Sequence, residues 1–452
     1  MRLTRTRLAA AFAGALAFAQ LSEEGAARLD LAIDPLMPAR VYLFKDGRPF
    51  RLSPVGALLP LRVDLFYRER LWRGSADPDT LEVTALDQSH FILLKGRAEF
   101  SLPAGRYRVE AYRGMFYTPA SADFELKAGE RRGVSLKLAA WTRPERWISS
   151  DDHIHLTRAR EDDAVFLGWL AAEDLSVGNF LQLQRQMDAA PQYGFGPQAE
   201  ARRPGYSIRS GHESRSEFFG HVNLLGGREI VRPLSIGTMY ANSPVTYPYP
   251  AVLFARGREL GATVGYAHFQ GSMPHSTLLM DLALGNIDFI EVFQFGVLKT
   301  DAWYELLNAG LRVTGIAGSD FPVPLNRSKT PWPRSIPLLG PERALVPAAG
   351  APSYDAWAAG VRSGNVVVTN GPIVEVAVAG SVARATASFS RALERLEIVV
   401  NGRVVASASG PKTALETSAK IDAPESVWVA ARASAPSLEG EPEIRAHTNP
   451  TY

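Results

Sequence analysis

The chain has eight histidines, and six of them (His153, His155, His212, His221, His268 and His275) fall between positions 153 and 275. An even spread would leave about two there. The densest feature is Asp151-Asp152-His153-Ile154-His155, directly after Trp147-Ile148-Ser149, which reads as a strand. Strand residues at i and i+2 share a face, so the two imidazoles project together and can chelate one divalent ion through neutral nitrogens. An ordinary pair of core or surface histidines has the same spacing. More chemistry-bearing residues come later in the chain: Glu213 in Gly211-His212-Glu213-Ser214, then His221, and His268 at the end of an apolar run. Glu291 sits inside Ile290-Glu291-Val292, and Asp320 closes Gly318-Ser319-Asp320. A charged group inside an apolar strand costs several kcal/mol unless it is paired or metal-bound. One shared metal would satisfy all of these groups. The chain has no cysteine, so any metal must be held by His, Asp and Glu alone.

The elements that must position these groups are legible in outline. Strand-like and helical runs alternate: Thr263–His268 strand, Thr277–Leu284 helix closed by Gly285, Asp288–Phe293 strand, Asp301–Ala309 helix closed by Gly310, then Leu311–Ile316 strand. Such alternation implies βα units and a mostly parallel α/β sheet or barrel. In parallel barrels, the C-terminal strand ends are where sites assemble. Before this region, short alternating strands such as Tyr107–Tyr112, and Asp46-Gly47 between Val41–Phe44 and Phe50–Leu52, predict a β-sandwich. After it, Leu396–Val400 and Val404-Val405 flank Asn401-Gly402, another tight hairpin signal. The expected division is a signal peptide at 1–19, an N-terminal β-sandwich at 20–145, an α/β barrel region at 146–372 and a C-terminal β-rich region at 373–452. The leader is read from Arg2, Arg5 and Arg7 before an apolar run from Leu8 to Ala19, which is too short to span a bilayer stably. Export to the periplasm or outside the cell is expected.

Composition narrows the function. Across 452 residues, 49 Lys+Arg stand against 47 Asp+Glu, a formal charge of +2, with 46% apolar and 21% charged residues. That excludes intrinsic disorder and argues against an electrostatic nucleic-acid binder. No G-x-S-x-G elbow, P-loop or dinucleotide fingerprint is present. His90 reads as structural.

Asp151-x-His153-x-His155, Glu213 with Gly220-His221, Ala267-His268, Ile290-Glu291-Val292 and Gly318-Ser319-Asp320 together resemble the polymerase and histidinol phosphatase (PHP) superfamily of metal hydrolases. The set is most similar to its CehA/McbA-type branch, which includes carbamate and ester hydrolases. Trp303–Gly310, Arg362–Asn365, Thr369–Pro372 and Ala446–Pro450 carry the same likeness. The resemblance implies a distorted (β/α)7 barrel with one to three divalent ions at its mouth. It implies His153, His155, Glu213, His221, His268 and Asp320 as metal ligands, with Asp320 and Glu213 as candidate bases. Two departures stand out: Val177–Gln182 lacks the family's Thr-Asp-His, and Pro322 replaces a usual histidine. One firmly held ion, zinc or manganese, with a weaker second, is the expectation.

The expected activity is hydrolysis of an ester, carbamate or phosphoester in a small-molecule substrate. A bound divalent ion brings the pKa of its water from about 16 toward 7. Arg202, Arg203, Arg209 and Arg215 read either as a solvated basic loop or as a site for a phosphate or carboxylate. Tyr193, Phe195, Phe218, Phe219, Phe269 and Phe295 read either as core or as an apolar pocket for an aryl group. The rival class is a secreted binding protein, or a pseudoenzyme, with a purely structural metal.

Overall fold

The structure, a computed structural model, describes residues 26–52, 61–62, 78–84, 90–184, 190–216, 218–232, 248–271, 275–323, 338–421, 427–437 and 442–452. The expected leader lies outside these residues. No described helix is long and apolar enough to cross a membrane.

The N-terminal strands form two main sheets. One has three strands, with Ala27–Asp34 between Arg131–Lys137 and Arg97–Leu102; the other has seven and contains Ala39–Lys45, His90–Leu94 and Gly105–Tyr112. Leu29, Leu31, Ile33, Val41, Leu43, Val109 and Leu126 fill one apolar core, each arriving at alternate positions of its strand. Asp46 and Gly47 have φ of 49° and 76°, as a tight right-twisting hairpin requires. Buried His90 meets the Phe50 carbonyl oxygen at 3.1 Å. Buried polar links tie this region to residues 171–173 of the central region. Arg40 pairs with Glu173 at 2.7 Å, and Arg113 Nη1 donates to the Ala171 carbonyl at 2.6 Å.

Seven strands build the centre: β1 (Trp147–Ile154), β2 (Val177–Gln184), β3 (Tyr206–Ser216), β4 (Gly220–Leu225), β5 (Thr263–Tyr266), β6 (Phe289–Gln294) and β7 (Thr314–Ala317). They pair in that order. The pairs β1–β2, β2–β3, β5–β6 and β6–β7 are parallel, and β3–β4 and β4–β5 are antiparallel. Beyond β7 the backbone returns to β1: His155 N–H donates to the Phe321 carbonyl at 2.8 Å, and Phe321 N–H to the His153 carbonyl at 3.1 Å. Among the described residues the α-helices are α1 (Asp163–Ala172), α2 (Pro250–Glu259), α3 (Leu278–Ala283), α4 (Thr300–Asn308) and α5 (Tyr354–Arg362). Phe254, Tyr266, Phe289, Trp303 and Trp357 belong to the main core around these strands.

The structure overturns the expected fold class. Among the described residues strand makes up 51% and helix 15%, so this is not a (β/α)7 barrel. The β5–α3–β6–α4–β7 stretch does alternate as the sequence implies. However, β3 and β4 form a hairpin, and hairpins need no covering helix. On the other side of β1 the sheet continues through Arg343–Pro347 and Val367–Thr369 into the C-terminal strands, giving a single sixteen-stranded sheet. The C-terminal strands therefore extend the central sheet and are not a separate flanking sandwich. A local strand–helix count could not see this, because strand partners are chosen by long-range register.

Candidate metal centre

The strand ends converge on one buried cluster. His153 and His155 leave β1 on the same face, and their Nε2 atoms are 3.0 Å apart. Asp320 Oδ1, just past β7, is 3.4 Å from His153 Nε2 and 3.2 Å from His155 Nε2. Glu213, on β3, reaches both histidine groups. Its Oε2 is 3.4 Å from His155 Nε2, and its Oε1 is 2.8 Å from His221 Nδ1 and 3.1 Å from His268 Nε2. All six residues that the sequence singled out therefore lie together, and none is more than 6% exposed. Three overlapping groups have ligand atoms within 4.8 Å of one another: His153–His155–Asp320, Glu213–His221–His268 and His153–His268–Glu291.

The other ring nitrogens are anchored. His153 Nδ1–H donates to Glu291 Oε1 at 2.7 Å, His155 Nδ1–H to the Leu181 carbonyl at 2.9 Å and His268 Nδ1–H to Gln294 Oε1 at 2.7 Å. These partners assign the tautomer of each ring and leave its Nε2 lone pair pointing inward. Glu291 also accepts from Asn223 Nδ2 at 2.7 Å and from the His268 backbone at 2.8 Å. Asp151 ties the strand ends, accepting from His153 N, Ser319 N, Ser319 Oγ and Gly340 N. Gly318 is needed for this approach, because a Cβ there would come within 2.1 Å of Asp152 Oδ1. His268 and Asp320 have φ of 53° and 50°, a region uncommon outside glycine; such backbone concentrates at functional sites.

The buried charges also shift the ionisation of these groups. Burial alone would discharge His153, but Glu291 and Asp320 hold its pKa well above the usual imidazole range. Burial opposes the charged form of His268 too, yet its hydrogen bond with Glu213 outweighs that effect and raises its pKa. Asp320 falls to about 2 against the opposing effect of burial, mainly because of His153 and His155. Burial instead pushes His221 down to about 4. Burial, then Glu291, drives the Asp152 carboxyl well above its usual range.

A divalent cation fits this donor set. Two inward Nε2 atoms 3.0 Å apart need a cation or proton between them. Glu213 Oε2 is fully buried and accepts no hydrogen bond. The donors on offer are imidazole nitrogens and carboxylate oxygens, which divalent ions accept as ligands.

The sequence left Asn223 and Gln294 unassigned and read Arg215 only as one of four arginines of a basic loop or an anion site. Asn223 had a signal, since it stands two residues after His221 and so shares its strand face; it also pairs directly with Glu213. Of the four arginines, Arg202 and Arg209 pair with Glu200, Arg209 also meets Asp355 at 3.0 Å, and Arg203 lies over Tyr206. Only Arg215 of the four reaches the cluster, 3.3 Å from Glu213 Oε2. Among the aromatics, Phe269 and Phe219 are core, Tyr193 donates to Asp163, and Phe295 stacks on His268 at 6.0 Å. Phe218 is 58% exposed and packs on Phe219, which packs on the half-exposed Tyr249. In place of the absent Thr-Asp-His, Asn179 accepts from the Tyr354 hydroxyl at 2.8 Å. Phe321, just before Pro322, packs on Trp169.

No family model and no curated protein matches the chain. A solved two-domain protein from Bacteroides vulgatus, containing a predicted PHP-like metal-dependent phosphoesterase, is 11% identical, with a TM-score of 0.36. The match covers 67% of this chain and 95% of that one. A likeness at this level leaves function to be argued from the cluster itself.

Proposed function

We propose that this protein is an exported metal-dependent hydrolase of the PHP type, with the ester, carbamate or phosphoester specificity of CehA/McbA-like enzymes. The observation that carries the reading is the pair of anchored imidazoles whose inward nitrogens face each other beside Asp320 and Glu213. His153, His155, Glu213 and Asp320 would hold the ion, with His221 or His268 completing the ligand set. When bound, such an ion lowers the pKa of its water and polarises a carbonyl or phosphoryl oxygen. Asp320 or Glu213 accepts the proton of the attacking water at a carboxylate oxygen. Whichever of His221 and His268 does not hold the ion would donate to the leaving oxygen. Glu291, Gln294 and the Leu181 carbonyl keep the rings aimed, so no reorganisation is needed during reaction.

Substrate is expected from the side of His221, His268 and Asp320, which are 4–6% exposed against 0–1% for His153 and His155. The exposed Phe218, three residues before His221, favours an apolar leaving group. Export rests on the Arg2-to-Ala19 pattern alone.

The test is elemental analysis of the purified protein with a screen of aryl ester, aryl carbamate and phosphodiester substrates, before and after chelation. Loss of turnover with far-UV dichroism intact supports the enzyme. Unfolding on metal removal makes the metal structural and the protein a binder. His155→Ala should remove metal and hydrolysis together while keeping the dichroism. Asp320→Asn should lower turnover more than metal content if Asp320 is the base, and equal loss of both would make it only a ligand.

A further inference from the structure

The two ligand groups are not electrostatically alike. Arg215 follows Glu213 by two residues on β3, so both side chains leave the same face of the strand. Its Nε lies 3.3 Å from Glu213 Oε2 and 3.3 Å from His221 Nδ1, and its side chain is only 15% exposed. His221 Nδ1 in turn faces Glu213 Oε1 at 2.8 Å. One nitrogen cannot donate to Glu213 and accept from Arg215 at once. The Glu213–His221–His268 group therefore already has a fixed guanidinium competing for its donor atoms. At the other group, the ion pairs of Asp320 among the described residues are with His153 and His155 alone.

We propose that Arg215 is a resident cation that makes the two halves of the centre unequal. The His153–His155–Asp320 half holds its ion tightly, and Arg215 weakens the ion at the Glu213–His221–His268 half. A buried cation repels a second cation far more than it would in water. The inference rests on the metal-binding reading of the cluster and assigns the order in which the centre fills.

The experiment titrates metal-free protein with Mn2+, following free Mn2+ by electron paramagnetic resonance and checking the fold by far-UV dichroism. Wild type should bind one ion tightly and a second at least tenfold more weakly. Arg215→Gln should tighten the second ion tenfold or more and leave the first unchanged. Arg215→Lys, which keeps the charge, should behave as wild type, and it keeps the test decisive if the glutamine variant does not fold. Two ions of equal affinity in wild type would overturn the proposal. So would a second ion that Arg215→Gln leaves unchanged or weakens, or a lysine variant that behaves like glutamine. If wild type and variants all bind no ion, the metal-binding reading itself fails, an outcome distinct from these.

Discussion

The chemistry of this protein depends on which nitrogen of each imidazole is free. His153, His155 and His268 each spend Nδ1 on an acceptor behind the ring, two of them on β6 (Glu291 and Gln294) and one on β2 (the Leu181 carbonyl). Glu291 is the most heavily used of these, because it also receives Asn223 Nδ2 and the His268 backbone. Partners of this kind typically account for ten- to hundredfold in metal affinity. Glu291→Gln, which preserves shape and removes the charge, should therefore weaken Mn2+ or Zn2+ binding by about that factor. Competition with a chromophoric chelator measures it, and unchanged affinity would show that His153 is oriented by something else. The His153/His155 pair was legible because strand periodicity is short-range. The roles of Asn223, Gln294 and Arg215 were not, since they depend on which strands become neighbours.

At the scale of elements, the cluster requires β1 and β7 to hold a fixed separation. Two devices do this. Asp151 bridges them through four donors, and Asn449 acts as a substitute strand partner for β7. Asn449 Oδ1 accepts from Gly315 N–H at 2.7 Å, while its Nδ2 donates to Gly315 O at 2.8 Å and Val366 O at 3.0 Å. Asn449→Ala would leave both backbone groups of buried Gly315 without these partners. The expected cost is about 2–4 kcal/mol of stability by urea denaturation, and a loss under about 0.5 kcal/mol would mean that β7 is held elsewhere. The helices α3 and α4 and their closing glycines, Gly285 and Gly310 with φ of 67° and 81°, follow the sequence signals closely. The β3–β4 hairpin does not, because its residues are buried on both faces and carry no polar alternation to mark an antiparallel pair.

Across the whole molecule, buried histidines outside the cluster tie stability to pH. His447 is fully buried, donates from Nδ1 to the Thr448 carbonyl at 2.6 Å and accepts at Nε2 from the Tyr304 hydroxyl at 2.5 Å. Burial lowers its pKa from 6.5 to about 4, and that of His212 to about 3. Between these values and 6.5 the unfolded chain binds more protons than the folded one, so stability falls as pH drops through this window. For His447 the full loss is about 3 kcal/mol, reached below its folded pKa. Thermal melts from pH 7 to pH 4 should show a steeper decline for wild type than for His447→Gln, and parallel curves would remove His447 as a cause. His447 also links α4 to the C-terminal strands, so the same measurement reports on the continuity of the sheet.

Residue chemistry and local periodicity were enough to name a set of nitrogen and oxygen ligands, two tight hairpins and the β5-to-β7 alternation. They also excluded sulfur ligation and the serine-elbow and P-loop chemistries, because these depend on residue types or short fixed spacings. Sequence reasoning assigned the wrong fold class, since closure, strand direction and sheet continuation are settled by backbone pairing between segments hundreds of residues apart. Only the tertiary structure placed the six candidate ligand side chains within reach of one another, put Arg215 at one end of them and joined the C-terminal strands to the same sheet. Each of those facts is a distance between strands, and a distance is fixed by register and packing, which no local pattern encodes.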